Sequence, residues 1–294
     1  MVPWTPSDAG MNAVHATPHP VPTEGNPPAM NSEAPEHTDT APLGRRARNR
    51  AARYDQLLAA AGDLVDEHGL EGLTMQAVAD RVDCAVGTIY TYFASKSALM
   101  AALQTAAIQT LLATYHHAAG EWDDALAEAG TDDAVASLVR VMAFGQLFVA
   151  GPEMHPREFE FLQLLINTPE HTVNADDVRT VTPHALTLLT EGLVLIEAAV
   201  NEGALSSTSQ RPGDDSLRRT LRWIGALDGA LLVSNANVTA LPDPEAFGAR
   251  HLSQLLTEDL LLAWGAPPRT LEAATLQVQR MRTAGSLLPR PERS

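Results

Sequence analysis

The sequence predicts an all-α protein built from a small three-helix unit followed by a larger helical domain. Alanine and leucine dominate the composition, and both are strong helix formers. Apolar residues recur at helical spacing along most of the chain, and no alternating strand pattern persists. A length of 294 residues is sufficient for one small module and a second domain with its own core.

Composition divides the chain into four segments. Residues 1–43 are rich in proline and lack apolar periodicity, so we expect a disordered tail. Residues 44–98 form the predicted small module, and residues 99–266 form the predicted larger helical domain. Residues 267–294 are predicted to be a C-terminal tail that is partly helical.

The small module contains three predicted helices. The first spans residues 51–68 and ends at Gly69, which is a common residue after a helix. Thr74 is suited to cap a second short helix, which ends before a tight turn at 83–85. A third helix is predicted over 86–93. The first helix has one predicted buried face, made of Leu57, Ala61, Leu64, Val65 and His68.

The larger domain is predicted from helical segments that are separated by glycine and proline residues. These segments are 95–117, 132–150, 155–167, 176–202, 214–238, 244–264 and 270–284. Residues 99–120 lack acids, lysine and arginine and are long enough to span a bilayer. Polar residues nevertheless recur there at helical spacing, so we expect an amphipathic soluble helix with no membrane partner. The polar residues are Gln104, Thr105, Gln109, Thr110 and Thr114.

The formal net charge of −16 is unfavourable for contact with nucleic acid, but the acids are unevenly distributed. Acidic and basic residues are balanced in number between residues 43 and 100, while acids outnumber bases on both sides of that region. Five arginines precede the first acid there, and Lys96 is the only lysine in the sequence. Such an arginine run is either a solvated linker or a DNA-binding arm, and we favour the arm.

The single cysteine, Cys84, excludes an intrachain disulfide and agrees with a reducing compartment. No secretory signal is recognised, so we expect a cytoplasmic protein. Cys84 is either a redox switch or an inert, buried small residue, and the second interpretation is simpler.

Two short helices joined by a three-residue turn form the geometry of a helix-turn-helix. Val78, Ala79 and Val82 of the first helix are placed to pack on Ile89 and Phe93 of the second. The remaining positions of the second helix form its flanks and outer face. That outer set consists of Val86, Gly87, Thr88, Tyr90 and Tyr92.

A face with small residues can enter the major groove of DNA closely. Thr88 can contact a thymine methyl group or a base edge, and tyrosine hydroxyls can reach phosphates. Lys96 adds a positive charge at the start of the next helix.

This segment resembles the DNA-binding domain of the tetracycline-repressor (TetR) family. The family pattern has a capping Thr, then Ile-Ala-x-x-Ala-Gly-Val-Ser-x-Gly-Thr-Leu-Tyr-x-Tyr-Phe-x-x-Lys. The resemblance covers residues 51–100. The matching residues in this chain are Thr74, Val78, Ala79, Gly87, Thr88, Ile89, Tyr90, Tyr92, Phe93 and Lys96.

The resemblance implies a bacterial transcriptional repressor that binds double-stranded DNA as an Ω-shaped homodimer and is released by a small-molecule effector. The family's turn Gly is Asp83 here, the usual Val is Cys84 and the usual Ser is Ala85, so one capping and phosphate contact is lost. Neither a cofactor nor an enzymatic activity is implied. Predicted DNA-binding residues are Arg45, Arg46, Arg48, Arg50, Thr74, Val86, Gly87, Thr88, Tyr90, Tyr92 and Lys96.

The larger domain offers weaker candidates for effector binding. Aromatic residues at helical positions are core residues more often than pocket residues. His184 and Glu191 lie two turns apart and either reach a ligand together or act separately. His155 and Glu158 have metal-compatible spacing, but further ligands are lacking, so no metal is expected. The predicted effector-binding residues are Phe144, Phe148, His184, Glu191 and Trp223.

The helices predicted at 214–238 and 244–264 are candidates for the dimer interface. The first carries Gly225 and Gly229 four residues apart, which allows a partner helix to approach closely. Its apolar positions near a heptad spacing are Leu217, Leu221, Ile224, Leu231 and Val238. The second carries a broad stripe of Leu252, Leu255, Leu256, Leu260 and Ala263, interrupted by Asp259.

Two other classes of function are possible. One is an enzyme with its active site in residues 101–266, although no phosphate loop, nucleophile elbow or metal cluster supports it. The other is an activator or a ligand-free architectural DNA-binding protein. An apolar cavity with a few polar groups in the larger domain would indicate a sensor, whereas a filled core would indicate a structural dimeriser.

Overall fold

A computed structural model describes residues 44–167, 173–207, 212–235 and 248–289. All regular structure in these ranges is helical, so the predicted all-α class is confirmed. The chain divides into two units, Met1–Gly44 and Arg45–Ser294, and the described helices belong to the second. The predicted tail at 1–43 lies outside the described residues.

The described helices follow one another with short connections. Their bounds are α1 (Arg45–Gly72), α2 (Met75–Arg81), α3 (Val86–Tyr90), α4 (Lys96–Glu128), α5 (Asp133–Met154), α6 (Pro156–Asn167), α7 (Ala175–Asn201), α8 (Pro212–Ser234), α9 (Ala249–Ala263) and α10 (Pro268–Ala284).

Helix α1 begins six residues before the predicted start at Ala51, because arginine and alanine support a helix even where the surface is fully solvated. Four of the five residues on its predicted face are buried: Leu57, Ala61, Leu64 and Val65. The prediction for His68 is wrong, because this residue is exposed. It belongs to the last turn before Gly69, whose φ of 68° breaks the helix.

Helices α2 and α3 pack through the residues predicted for this contact. Val78 and Ala79 of α2 are fully buried, as is Ile89 of α3, and Phe93 just beyond α3 is 3% exposed. The rings of Phe93 and Tyr54 of α1 are 5.1 Å apart. Helices α1, α2 and α3 therefore share one apolar core, and this shared packing fixes the orientation of α3.

Helix α4 starts at a cap, where Ser95 Oγ accepts a hydrogen bond from the backbone N–H of Ala98 at 3.0 Å. It continues past the predicted end at His117, because the buried residues Trp122 and Leu126 extend its apolar side. Gln104, expected on the solvated side, is fully buried. Both α6 and α7 pack along α4, so the helix is covered on more than the one side that its sequence pattern predicts.

Helix α5 forms the centre of the larger domain. Most of its side chains are buried, and it packs against α9 and α10. It runs through Gly151 and Pro152, where a break was predicted, and ends at Met154. A proline in the last turns removes a single hydrogen bond, which the packed surroundings of α5 tolerate.

By length and composition alone, α4, α5 and α7 could each cross a bilayer. In α5, however, 78% of the most apolar window is buried inside the protein itself. The apolar residues of α5 thus form the core of the larger domain, and they are not evidence of a membrane.

Helix α6 is joined to α1 by Arg157. Its guanidinium forms ion pairs with Asp63 and Asp66 of α1, with 2.8 Å between Nε and Asp66 Oδ2. Gly62 of α1 leaves room for this side chain, because a Cβ atom there would lie 2.8 Å from Arg157 Nη1. The small module and the larger domain therefore meet along α1 and α6.

The C-terminal segment, predicted as a partly helical tail, contains α10, which packs against α5. Trp122 of α4 is 1% exposed, and its indole Nε1 donates a hydrogen bond to the carbonyl oxygen of Leu287 at 2.9 Å. Val278 and Met281 of α10 are also buried. This segment therefore contributes to the core of the larger domain.

Met281→Ala should lower the free energy of unfolding by about 2–5 kcal/mol, because it opens a cavity where α10 meets the core. Leu276→Ala on the same helix should change it by less than about 0.5 kcal/mol, because Leu276 is 48% exposed. Urea unfolding of both variants followed by circular dichroism measures the difference. Equal stabilities for the two variants would contradict the packing of α10.

Candidate DNA-binding site and effector cavity

The turn between α2 and α3 is held by backbone geometry. Thr74 Oγ1 accepts a hydrogen bond from the N–H of Ala77 at 3.0 Å and so caps α2, as predicted. Asp83 takes the left-handed conformation with φ 49°, at the place where glycine is usual in the resembling family. The N–H of Cys84 donates to the carbonyl of Ala79 at 3.0 Å and closes the turn.

Helix α3 is shorter than the predicted segment 86–93. It ends at Tyr90, where the N–H of Thr91 donates to Thr88 O and that of Tyr92 donates to Ile89 O in tightened turns. The residue before α3, Ala85, makes no side-chain capping bond, in agreement with the loss expected from its methyl group. One N-terminal N–H group of α3 therefore lacks the cap that serine would supply.

The outward side of α3 consists of small and aromatic residues. Gly87 is exposed, and a Cβ added there would have no neighbour within 4 Å. Tyr90 is 52% exposed, while Val86 and Thr88 are half-buried at the flanks. This is a protruding surface that can approach DNA closely around Gly87. The base and phosphate contacts of these residues stay predictions.

The predicted arginine arm is the first part of α1. Its arginines are exposed on the helix surface, and the guanidinium of Arg50 lies 5.2 Å from the ring centroid of Tyr92. This cation–π contact places positive charge next to the end of α3. The exposed members of the arm are Arg45, Arg46, Arg48 and Arg50.

Lys96 lies at the first position of α4 and is exposed. Its Nζ donates a hydrogen bond to the carbonyl oxygen of Leu70 at 3.2 Å, which joins α4 to the end of α1. An ammonium group has three donors, so this bond leaves donors that can face a phosphate. The predicted phosphate contact is thus compatible with a second, structural contact of the same side chain.

A cavity of about 430 Å³ lies between α5, α6, α7 and α8. Its walls are almost entirely apolar, and they include the predicted residues Phe144 and Phe148. A volume of this size and a mostly apolar lining are typical of small-molecule sites. The polar side chains among the described lining residues are Thr182 of α7 and Asp228 of α8.

Asp228 is half-buried and accepts a hydrogen bond from Gln163 Nε2 of α6 at 3.1 Å. Burial raises the pKa of its carboxyl group above the usual range, and the bond from Gln163 partly offsets this. Asp228 and Gln163 were not among the predicted site residues. The sequence signal for Asp228 was an acid that interrupts the apolar pattern at 217–231. An acid in such a pattern is equally expected on the solvent-exposed side of a helix.

A smaller cavity of about 50 Å³ shares Phe144 and Phe148 with the first one and extends toward α4. Two polar groups meet at its edge, where Thr114 Oγ1 and His155 Nε2 are 2.9 Å apart. Tyr115 also lines it, and burial raises the pKa of this phenol to about 12. The phenol is therefore a neutral hydrogen-bonding group at any pH near neutrality.

The other three predicted effector-binding residues lie elsewhere. Glu191 Oε1 lies 2.8 Å from His116 Nε2 of α4, within hydrogen-bond distance. Trp223 is fully buried, and its Nε1 donates to Thr257 Oγ1 at 3.0 Å. His184 is half-buried on α7 but does not line the cavity. The structure thus brings Phe144 and Phe148 together and does not bring these three to the same cavity.

Metal binding was not expected, and no group of three or more His, Cys, Asp or Glu suited to a metal occurs within the described ranges. His155, one of the two residues with metal-compatible spacing, contacts Thr114 instead. Cys84 is half-buried with a free thiol. Its role as an inert residue or a redox switch stays open.

A family profile described as bacterial regulatory proteins, tetR family, matches residues 57–103. This match covers the second half of α1, the helix-turn-helix and the start of α4. It includes Thr74, α3 and Lys96, on which the resemblance in sequence was based. No curated protein sequence matches the chain significantly.

Three solved structures are similar to the chain at low identity. A transcriptional regulator from Rhodococcus sp. Rha1 shares 19% identity, covering 73% of this chain and 99% of its own, with a TM-score of 0.47. SmeT, the repressor of the Stenotrophomonas maltophilia multidrug efflux pump SmeDEF, shares 16% identity, and the match covers 74% of this chain and 92% of SmeT with a TM-score of 0.49. RolR in complex with resorcinol also shares 16% identity, and the match covers 84% of this chain and 100% of RolR with a TM-score of 0.47.

The profile match and the geometry agree on the same residues. The helix-turn-helix, its capping Thr74 and its protruding α3 all lie within the matched region. Residues 57–103 of the chain therefore form a DNA-binding domain of the kind found in bacterial regulatory proteins of the tetR family.

Proposed function

We propose that the chain is a transcriptional repressor that binds a palindromic operator as a homodimer and is released from it by a small molecule. The observation that carries this proposal is the combination of a protruding α3 with an apolar cavity in the same chain. Such a protein acts in the bacterial cytoplasm on the nucleoid.

DNA binding is assigned to the outward side of α3 and to the start of α1. The proposed contacts to bases come from Thr88 and the surface around Gly87, and those to phosphates come from Tyr90, Tyr92 and Lys96. The arginines of α1 counter the negative charge of the rest of the chain near DNA. The proximity of Arg50 to Tyr92 supports a joint phosphate contact by α1 and α3.

Release by an effector is assigned to the cavity between α5 and α8. A ligand releases DNA only if it binds better to the arrangement that does not fit the operator, and DNA must then weaken ligand binding by the same factor. Helix α6 lies between the cavity and the DNA-binding helices, because its Leu162 lines the cavity and its Arg157 forms an ion pair with α1. A ligand-free architectural protein would need no such cavity.

The dimer is assigned to α8 and α9, which pack side by side. Both carry large apolar residues on an outward face, including Leu232 at 75% exposed and Leu255 at 45%. A Cβ atom added at Gly225 or Gly229 of α8 would have no neighbour within 4 Å among the described residues. Of the other positions predicted for this interface, Leu221 and Ile224 also line the cavity, and Val238 lies outside the described residues.

A genome-wide selection tests the proposed function. The purified full-length chain is mixed with sheared DNA of its source genome, and bound fragments are recovered and sequenced. A repressor should enrich short segments with two inverted half-sites that overlap promoters. Fragments without a shared inverted repeat would contradict the proposal of a specific dimeric repressor and favour an architectural role.

Lys96→Ala should weaken binding to all DNA sequences alike and reduce the slope of log affinity against log salt by about one, because one phosphate contact is lost. Thr88→Ala should instead lose preference at one base pair, by roughly 1–3 kcal/mol. Fluorescence anisotropy with a recovered fragment and its point variants, over a salt series, measures both effects. An unchanged slope for Lys96→Ala would contradict the phosphate contact, provided that the melting temperature shows an intact fold.

Gly229→Leu should disrupt the homodimer without harming the fold of the subunit. The added side chain has open space within the chain, but it would overpack a partner helix at about 1–3 kcal/mol per site, twice per dimer. Gly120→Leu on α4 is the matched control, since a Cβ added there also meets open space. Light scattering at micromolar concentration measures the mass, and operator affinity is measured in parallel.

Only Gly229→Leu should shift the mass toward the monomer and lower operator affinity, because two tethered DNA-binding domains become one. A monomeric wild type would exclude the interface. A dimeric Gly229→Leu variant with full affinity would place the interface away from Gly229.

A further inference from the structure

The cavity between α5 and α8 combines an apolar lining with a carboxyl group. Its walls are apolar over nearly the whole surface, yet a carboxyl group lines it at Asp228. A carboxylate inside an apolar cavity is costly unless it is paired with a positive charge or well hydrogen-bonded. The question is which partner this group meets when the cavity is filled.

Within the described ranges, no positively charged side chain forms an ion pair with Asp228. Asp228 Oδ1 accepts a hydrogen bond from Gln163 Nε2 at 3.1 Å, and this amide is a neutral donor that leaves the negative charge uncompensated. Arg219 on the same helix is different, because it pairs with Asp215 at 2.8 Å and donates to the carbonyl of Ser206. Among the described residues, the carboxyl of Asp228 is thus held in position by a neutral donor without a positively charged partner.

From this geometry we infer that the effector is a lipophilic cation: an apolar, ring-containing molecule with one protonated amine or other cationic group that pairs with Asp228. This inference rests on the proposed effector cavity and names the chemical class of its ligand.

The shape of the cavity supports the apolar part of the ligand. Its volume of about 430 Å³ is sufficient for two or three fused or linked rings. Phe144 and Phe148 of α5 provide aromatic surface on one wall. Leucine side chains of α6 and α7, including Leu162 and Leu188, also line the cavity. Burial of rings against these groups provides most of the binding free energy.

Charge supports the cationic part. The raised pKa of Asp228 is caused by burial, and an ion pair with the ligand would remove part of that cost. The region after residue 100 carries a large excess of acids over bases, so its electrostatic potential attracts cations and repels anions. An anionic ligand would place two like charges together in a medium of low polarity, which is unfavourable.

Three probes of matched shape test the inference with the full-length protein. They are 1-naphthylmethylamine, which is a cation at neutral pH, 1-naphthalenemethanol, which is neutral, and 1-naphthoate, which is an anion. Isothermal titration calorimetry measures their affinities for the wild type, for Asp228→Asn and for Glu160→Gln. The last variant removes an exposed carboxylate from α6 that does not line the cavity, so it controls for net charge.

The wild type should bind the amine at least about tenfold more tightly than the alcohol, because a charge-assisted hydrogen bond replaces a neutral one. Asp228→Asn should remove this preference while retaining the affinity for the alcohol. Glu160→Gln should keep the preference. Thermal unfolding of each variant verifies that the fold is unchanged.

Equal affinity for amine and alcohol in the wild type, or a preference that survives Asp228→Asn, would overturn the inference and leave the proposed effector cavity standing. Failure of all three probes to bind would overturn both. If the amine binds through Asp228 but does not release a recovered operator fragment, the ligand class holds and the proposed release mechanism is wrong.

Discussion

The contact between Arg157 and the two aspartates of α1 links the DNA-binding helices to the larger domain. Each such ion pair at a partly exposed surface contributes only about 0–1 kcal/mol, so its importance is geometric. Its guanidinium fork contacts Asp63 and Asp66 together, and Gly62 allows it to lie close to the α1 backbone. The orientation of α1, and with it that of α3, therefore depends on the position of α6.

Helix α6 has a second set of contacts only one turn away. Phe159 packs edge-on against Phe148 with ring centroids 5.5 Å apart, and Leu162 lines both cavities. A change in the packing of these side chains acts on the same short helix that carries Arg157. In the proposed function, these packed side chains and the ion pairs of Arg157 would connect the cavity to the DNA-binding helices.

Much of the DNA-binding domain was predictable because its signals are local. Thr74 caps α2, Asp83 forms the turn and Ile89 packs in the core, all within residues 74–89. The spacing of these residues alone therefore indicates the geometry. The cavity was not predictable in the same way, because Asp228 and Phe148 come to line one cavity only after four helices have packed. The burial of Gln104 was missed for a similar reason, since it depends on how other helices pack along α4. The start of α1 at Arg45 was not predicted, because an arginine-rich, solvated helix shows no periodic pattern of apolar residues.

Helix α4 begins beside the recognition elements at Lys96 and passes the smaller cavity at Tyr115. At about 1.5 Å per residue, these two points are roughly 28 Å apart along the axis. The helix is then a lever: a tilt of about 5° at Tyr115 would displace its first residue by roughly 2.5 Å at that length. Such a displacement is comparable to the length of one hydrogen bond, so a rotation too small to disturb the core is large enough to take a phosphate out of reach.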